Sequence, residues 1–446
     1  MRRFTPPAQS QAVMVDFEGT SVEAIDGEPL ACALLASGQR VFSRSPKYHR
    51  PRGPFCFTRS CGQCLMRVDG VPNVFTCEAP ARAGTRVERQ NAYPTADFDL
   101  LNAVDWLFPK GFDPHTLLAR TPWADRFLAR VVAPLAGVGE LPDAPAPHRP
   151  PMTVIHTDVL LVGGGDAGLA AAAELAHPHF RCILVEKEPW LGGHRVNAQI
   201  ARPAAMPASP VEVWTRAVAL AVYEDVGGRF VLVARGGSER PFLVKAYTKH
   251  LVLAPGGYAA PLTFQNNDRP GVFSVRAAAR LLFRHQIRCT YTPALVGQGP
   301  ELYAMAKHLV AVGIRPALVL DTQHAPPAGT PRPAHVGRPI RVHGASAVSG
   351  LSFLTSRGRR DRVDCDTVLV AGPISPAFEL ARQAGAALLH TPLGFRVDCD
   401  EEGRTSIPGV WATGTAAGAE DAEASTESGF LTGHAVGNML RGGTRA

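Results

Sequence analysis

Four cysteines, Cys56, Cys61, Cys64 and Cys77, follow one another at the spacing C-x4-C-x2-C-x12-C. Three thiolates on one tight loop and a fourth on a following strand is the plant-type ligand order for a [2Fe–2S] cluster. Such a loop must wrap closely around an inorganic core, and Ser60 and Gly62 are residues that permit the turn. The alternatives are a structural zinc site and a set of unrelated core thiols. Zinc sites favour two C-x2-C pairs, or one pair with histidines across a longer spacer. A disulfide framework fits poorly with 446 residues and nine cysteines, an odd number. The other five, Cys32, Cys182, Cys289, Cys365 and Cys399, are scattered and read as buried thiols.

A second chemistry begins at Thr157. The continuous apolar run Asp158-Val159-Leu160-Leu161-Val162 predicts a buried parallel strand. Gly163-Gly-Gly165-Asp166-Ala167-Gly168 completes G-x-G-x-x-G, and an alanine-dense helix over 169–176 follows. These glycines let the backbone turn tightly and approach a pyrophosphate at a helix N-terminus. Glu186, 18 residues after Gly168 and followed by Lys187, ends the next strand where a carboxylate can reach an adenosine ribose. Gly192-Gly193 shortly afterwards favours FAD over NAD.

A poorer copy lies at 291–321. Ala294-Leu295-Val296 leads into Gly297-Gln-Gly299-Pro300-Glu-Leu302, a helix over 303–312, then Ala317-Leu318-Val319-Leu320-Asp321. Asp321 occupies the ribose-reading position. Leu302 stands where a small residue should allow close helix–strand packing, and Pro300 removes a backbone donor. NAD(P) binding here and a Rossmann-shaped domain without its ligand are both open.

The elements that must carry these sites follow from pattern. Alternation in Val13–Phe17, a Glu-Gly-Thr turn and Val22–Ile25 predict a hairpin. Pro29 to Ser37 reads as a short helix stopped by Gly38, and strand-like Leu65–Val68 and Val74–Cys77 flank the last two ligands. That order suits a β-grasp ferredoxin domain. The fold class is therefore α/β: two Rossmann-like units with an N-terminal β-grasp [2Fe–2S] domain. Expected boundaries are 12–92 for the cluster domain and 93–152 for a connecting segment. The first part of the FAD domain takes 153–272, the NAD-type unit 273–362 and the second FAD part 363–446. The connecting segment divides into an aromatic-rich stretch with Trp106 and Trp123 and a proline-rich linker at 134–151.

Composition excludes little else. Apolar residues make up 46%, and no stretch approaches the roughly 20 apolar residues of a spanning helix. Reduced thiols without an export signal predict a cytoplasmic protein. The formal charge of +7 is no nucleic-acid signal by itself. Much of the local excess lies in Arg40, Arg44, Lys47, Arg50, Arg52 and Arg59, either a solvated face or a docking surface.

Two nucleotide units in this order resemble the two-dinucleotide-binding-domain flavoproteins. Val252-Leu253-Ala254-Pro255-Gly256-Gly257 and Gly409-Val410-Trp411-Ala412-Thr413-Gly414-Thr415 support this. By that resemblance Gly414 and Thr415 sit at the flavin, with Thr415 replacing the usual aspartate that contacts the ribityl chain. The redox cysteine pair of disulfide reductases is missing. More narrowly, the segments 45–53, 268–273 and 375–380 resemble the α subunits of heterotetrameric sarcosine oxidase and its relatives. These relatives include opine oxidases, hydrogen cyanide synthase and dye-linked proline or hydroxyproline dehydrogenases. The resemblance implies an electron-transfer flavoprotein whose amine or amino-acid substrate is oxidised on a partner, an FAD-dependent β subunit of the amine-oxidase type. FMN is held between subunits in some members, and Lys47, Arg50 and Arg52 are candidates for its phosphate or for partner carboxylates. This chain departs in carrying the cluster cysteines, which sarcosine oxidase α subunits lack, and in a minimal cluster-plus-FAD architecture. It offers no convincing substrate base, since His49 and His194 read as structural. The competing functions are a stand-alone NAD(P)H-dependent reductase and a non-catalytic assembly protein.

Overall fold

The computed structural model describes residues 2–4, 11–46, 48–92, 94–103, 150–194, 210–236 and 242–443. Most of the aromatic-rich stretch and all but the end of the proline-rich linker lie outside these residues. The chain divides into two compact units, the described parts of Met1–Pro145 with Pro261–Gly372, and of Ala146–Ala260 with Pro373–Ala446.

In the first unit, Ala12–Phe17 and Thr20–Ile25 form the expected hairpin, turning at Glu18 and Gly19, both at positive φ. Arg86–Glu88 joins parallel to Ala12–Phe17 and antiparallel to Leu65–Val68, which pairs with Val71–Phe75. These five strands form one sheet. The helix Leu30–Ala36 begins after Pro29, whose missing N–H costs nothing there, and it buries every residue from Leu30 to Leu35. The result is a β-grasp domain. The strand over 71–75 starts earlier than expected and ends before Cys77, so the fourth cysteine lies in the turn beyond it.

The same unit holds a seven-stranded sheet. Val272–Ser274, Thr367–Ala371, Pro293–Gly297, Leu318–Asp321 and Ala334–His343 run parallel, and Gly350–Thr355 and Arg360–Asp364 add an antiparallel meander. The helix Pro300–Ala311 starts three residues before the expected 303, because Pro300 fits the first helical turn. This Rossmann-type sheet and the β-grasp domain share hydrophobic cores. Phe55 and Cys56 pack with Val272, Ala294 and Val368, and Phe57 and Cys64 with Phe273 and Leu281.

The second unit is built on another seven-stranded sheet. Glu212–Trp214, Cys182–Val185, Met152–Val162, Phe242–Leu253 and Val410–Ala412 are parallel, extended by the antiparallel strands Gly228–Arg235 and Ala217–Asp225. Met152–Val162 is longer than the five residues read as a buried run. Its first half pairs with 243–247 and is largely exposed, so only the second half carries the apolar signature. The long helix Ala422–Gly443 closes on the helix Asp166–Glu174 through Gly429 and Gly433. A Cβ on Gly429 would stand 2.1 Å from the Ala167 carbonyl oxygen, and one on Gly433 2.7 Å from that of Ala171.

Candidate cluster and flavin sites

The cluster loop leaves Gly53 and passes Cys56, Cys61 and Cys64. Phe57, Arg59 and Gly62 all take positive φ, at 53°, 62° and 67°, so the tight wrap uses left-handed backbone at two non-glycine positions. The four thiols come together as two pairs. Cys56 hydrogen-bonds Cys61, and Cys64 hydrogen-bonds Cys77. A two-iron cluster takes two protein thiolates on each iron, and this two-by-two arrangement fits it. Among the described residues no group of three or more His, Cys, Asp or Glu is placed to hold a metal ion.

Hydrogen bonds to sulfur line the loop. The Thr58 N–H donates to Cys56 Sγ at 3.4 Å, and the backbone at Gln63 and Phe55 bonds Cys61. Within the first pair the Cys61 bond lowers the Cys56 thiol to about 4, helped by Ser60 and Thr58 against the cost of burial. Cys61 and Cys77 shift up, each chiefly because it donates to its partner thiol and then through burial. Cys77 is fixed beside Cys64 by Thr76, fully buried, whose N–H and hydroxyl both donate to the Cys64 carbonyl at 3.3 and 2.7 Å. Pattern and spacing do not single out Thr76. Its one signal is a hydroxyl residue directly before a ligand. Cys32 is a further buried thiol nearby, held protonated by burial. Cys182, Cys289 and Cys365 are buried as expected, whereas Cys399 is partly exposed.

The flavin site is a set of close backbone approaches. Gly163, at φ 106°, would place a Cβ 2.1 Å from the Ala254 carbonyl oxygen, and Gly168 would place one 1.8 Å from that of Gly163. Gly165 precedes the helix Asp166–Glu174 with no side chain capping it, leaving its first N–H groups to meet an anion. Gly193, at φ 59°, comes within 3.2 Å of Gly165 Cα by its added Cβ. Only glycines allow these contacts, and the concavity they leave suits a pyrophosphate. Glu186 is buried. Its Oε2 accepts from Gly164 N–H at 2.7 Å and its Oε1 from Glu188 N–H at 2.8 Å. Burial pushes its pKa up, partly opposed by these two donors. Lys187 beside it is exposed. Gly414, at φ 67°, lies against Ala167, where a Cβ would come within 2.7 Å. Its N–H donates to Ser428 Oγ at 3.2 Å, and Thr415 follows in a short turn. The structure thus brings together Gly163, Gly165, Asp166, Ala167, Gly168, Glu186, Gly193, Gly414 and Thr415. The glycine steps Gly429 and Gly433, four apart, carry the same kind of signal in the sequence without belonging to any nucleotide motif.

The second glycine turn differs. Gly297 is needed as Gly163 is, since a Cβ would meet the Ala371 carbonyl oxygen at 2.0 Å. Leu302 is fully buried in the core with Met305, Ala306 and Leu309. Asp321 is buried and already bonded from within: Tyr303 OH donates to Oδ2 at 2.5 Å, and the N–H groups of Gln323 and His324 donate to Oδ1 at 2.7 Å each.

Several described residues of the basic stretch are partnered within the chain. Arg44 is buried and donates to the carbonyls of Ala96 and His49. Arg52 faces Asp268 at 3.9 Å, and Arg59 pairs with Glu78 at 2.5 Å. Arg50 stacks over Tyr48, and Lys47 lies outside the described residues. His49 is buried at φ 51° with Nδ1 2.9 Å from Asp99 Oδ2. His194 is exposed. Among the described residues no helix is long and apolar enough to cross a membrane.

Fold and sites together define an iron–sulfur flavoprotein of the two-dinucleotide-binding-domain architecture. Residues 10–92 match the model of a 2Fe-2S iron-sulfur cluster binding domain and residues 158–201 that of an FAD binding domain, so FAD and [2Fe–2S] are the cofactors the chain is built for. Beyond the class, the chain is 28% identical over 400 residues to the alpha subunit of sarcosine oxidase from Rhizobium meliloti (strain 1021), covering 83% of this chain and 40% of that one. It is 26% identical over 327 residues to an opine oxidase subunit from Agrobacterium tumefaciens (strain Ach5), covering 61% of this chain and 64% of the relative. The crystal structure of L-proline dehydrogenase from P. horikoshii shares the fold, with a TM-score of 0.69 at 21% identity over 100% of this chain and 76% of that chain. The chain thus spans less than half the length of the sarcosine oxidase chain it matches. The similarity to sarcosine and opine oxidase subunits implied by the segments at 45–53, 268–273 and 375–380 is confirmed.

Proposed function

We propose that this chain is the electron-transfer subunit of a multisubunit amine or imino-acid dehydrogenase or oxidase. The donor would be of the sarcosine, opine, proline or hydroxyproline type, oxidised at a C–N bond on a separate FAD-dependent subunit. The observation that carries this reading is the co-occurrence, in one chain, of a two-by-two thiol set and a complete flavin cradle. The similarity to sarcosine and opine oxidase subunits supports the substrate class.

Together FAD and the cluster supply conversion between two-electron and one-electron transfer. The chain's own residues do the positioning. Cys56, Cys61, Cys64 and Cys77 would hold the irons, with the Thr58 N–H donating to the Cys56 sulfur. Gly163, Gly165, Asp166, Ala167, Gly168 and Gly193 would admit the pyrophosphate of FAD, Glu186 with Lys187 would serve its ribose, and Gly414 and Thr415 would lie at the flavin end. Thr415 offers a hydroxyl rather than a carboxylate. The second Rossmann-type sheet acts as a packing partner for the cluster domain, which disfavours a stand-alone NAD(P)H reductase.

An anaerobic absorption spectrum of the purified chain tests this. Flavin and cluster bands should both be present, bleach with dithionite and stay unchanged with NADH. Rapid bleaching by NADH would overturn the partner-dependent reading. Flavin bands without cluster bands would overturn the assignment of the four cysteines.

A further inference from the structure

The helix Val275–Ala279 starts at Ser274, whose hydroxyl accepts from Ala277 N–H at 3.0 Å and whose own N–H donates to the Phe55 carbonyl at 2.9 Å. It runs directly into a π-helical turn, Arg280–Arg284. Such turns interrupt the ordinary ladder and redirect side chains, often at functional sites. The first residue of this turn, Arg280, is only 9% exposed, and its Nη1 donates to the Phe57 carbonyl oxygen at 2.9 Å.

That carbonyl belongs to the same peptide group as the Thr58 N–H, and the Thr58 N–H is the donor to Cys56 Sγ at 3.4 Å. Guanidinium, peptide and sulfur therefore form one chain. A cation on the carbonyl polarises the peptide and strengthens its N–H as a donor, as coupled hydrogen bonds do in a low-dielectric interior. The same bond holds Phe57 in its left-handed conformation, at φ 53°.

We propose that Arg280 is a positioning residue that raises the reduction potential of the cluster, acting through the Phe57–Thr58 peptide on Cys56. The inference rests on the [2Fe–2S] reading above and assigns the second Rossmann-type sheet a task within it. One-electron reduction adds one negative charge at the ligand set. A fixed buried cation and a strengthened N–H···S bond both favour that state.

The test is a dithionite titration with mediators, followed by electron paramagnetic resonance, on the full chain and three variants. Arg280→Gln should shift the ratio of oxidised to reduced cluster at a fixed potential about tenfold toward oxidised, which is about 59 mV for one electron. Arg280→Lys keeps the charge and should stay near the parent potential. Arg276→Gln, in the helix that leads into the π-helical turn, breaks the 2.6 Å pair with Glu301 of the helix Pro300–Ala311 and should leave the potential in place. An unchanged potential in Arg280→Gln with iron content retained would overturn the proposal, as would an equal shift in Arg276→Gln. If Arg280→Gln takes up no iron, Arg280→Lys decides: parent-like potential supports the proposal and a full shift overturns it. A parent chain that gives no cluster signal after anaerobic reconstitution fails at the cysteines instead, and the inference falls with them.

Discussion

The chain contains the same glycine turn twice, at 163–168 and at 297–302, and the two have diverged in an instructive way. In both, the first glycine is forced by the fold. Gly163 and Gly297 each press against a carbonyl at the end of a neighbouring parallel strand, that of Ala254 just past Phe242–Leu253 or that of Ala371, the last residue of Thr367–Ala371. The third position separates them. Gly168 lets helix and turn approach to a distance no side chain tolerates, while Leu302 fills that space with core. The carboxylates differ in parallel. Glu186 accepts two backbone N–H groups, and Asp321 accepts two plus the hydroxyl of Tyr303. The first glycine is thus a requirement of the sheet. The third glycine and an under-committed acid are the requirements of a ligand.

Exchanging the third residue should break the comparison most severely. Gly168→Leu puts side-chain atoms into a site where even a Cβ lies 1.8 Å from an oxygen. Flavin content of the purified variant should fall to near zero. Iron content should persist, because the thiols lie in the other compact unit. Stoichiometric flavin in this variant would show that close approach is not what the turn is for.

The reverse exchange tests the other side. Leu302→Gly removes a fully buried side chain and adds backbone freedom, so it should cost about 3–6 kcal/mol of stability. Denaturant unfolding followed by tryptophan fluorescence measures it. A loss under about 1 kcal/mol, or a gain of NADH binding by calorimetry, would mean the second turn is still poised for a nucleotide.

Much of this is legible in the sequence because it is local. The cysteine spacing, the G-x-G-x-x-G turn and the acid at the end of the next strand are all set within a few tens of residues. What escapes is mostly long-range. Arg52 finds Asp268 and Arg280 finds the Phe57 carbonyl from more than two hundred positions away, so a basic run reads as a surface when much of it is internally neutralised. The Tyr303–Asp321 bond is within reach, 18 residues apart, yet no periodicity reveals that a carboxylate is already bonded. The fourth ligand reads as a strand residue because Val-Phe-Thr-Cys has β-type residues throughout, whereas Thr76 uses its hydroxyl to bond Cys64 and turn the chain.

A smaller effect is expected at Glu186. Replacing it with Gln removes the charge that would face a ribose, and FAD affinity should drop roughly ten- to hundredfold, the range for a hydrogen bond to a charged group. The flavin-free chain carries a pH signature as well. Burial raises the folded pKa of Glu186, so the folded state keeps a proton that the unfolded chain has released. Stability must then fall as pH rises from the ordinary carboxylate range to the raised value. Thermal unfolding of the flavin-free protein between about pH 4 and 8 should show that fall, and Glu186→Gln should reduce it. An equal slope in both proteins would place the titration elsewhere.

The finest test concerns the hydroxyl that meets Asp321. Tyr303→Phe deletes one donor to a buried carboxylate that retains two backbone donors, so the cost should be about 1 kcal/mol and a few degrees in Tm. The freed oxygen then presents the same lone pair that a ribose hydroxyl would use. If Leu302 is what closes the turn, the variant should bind NADH no better than the parent, since the carboxylate alone cannot seat a pyrophosphate. A tenfold or greater gain in NADH affinity would reverse that order. It would make Tyr303 the plug of a nucleotide site that is otherwise intact, and the two turns would differ by a single hydroxyl rather than by their packing.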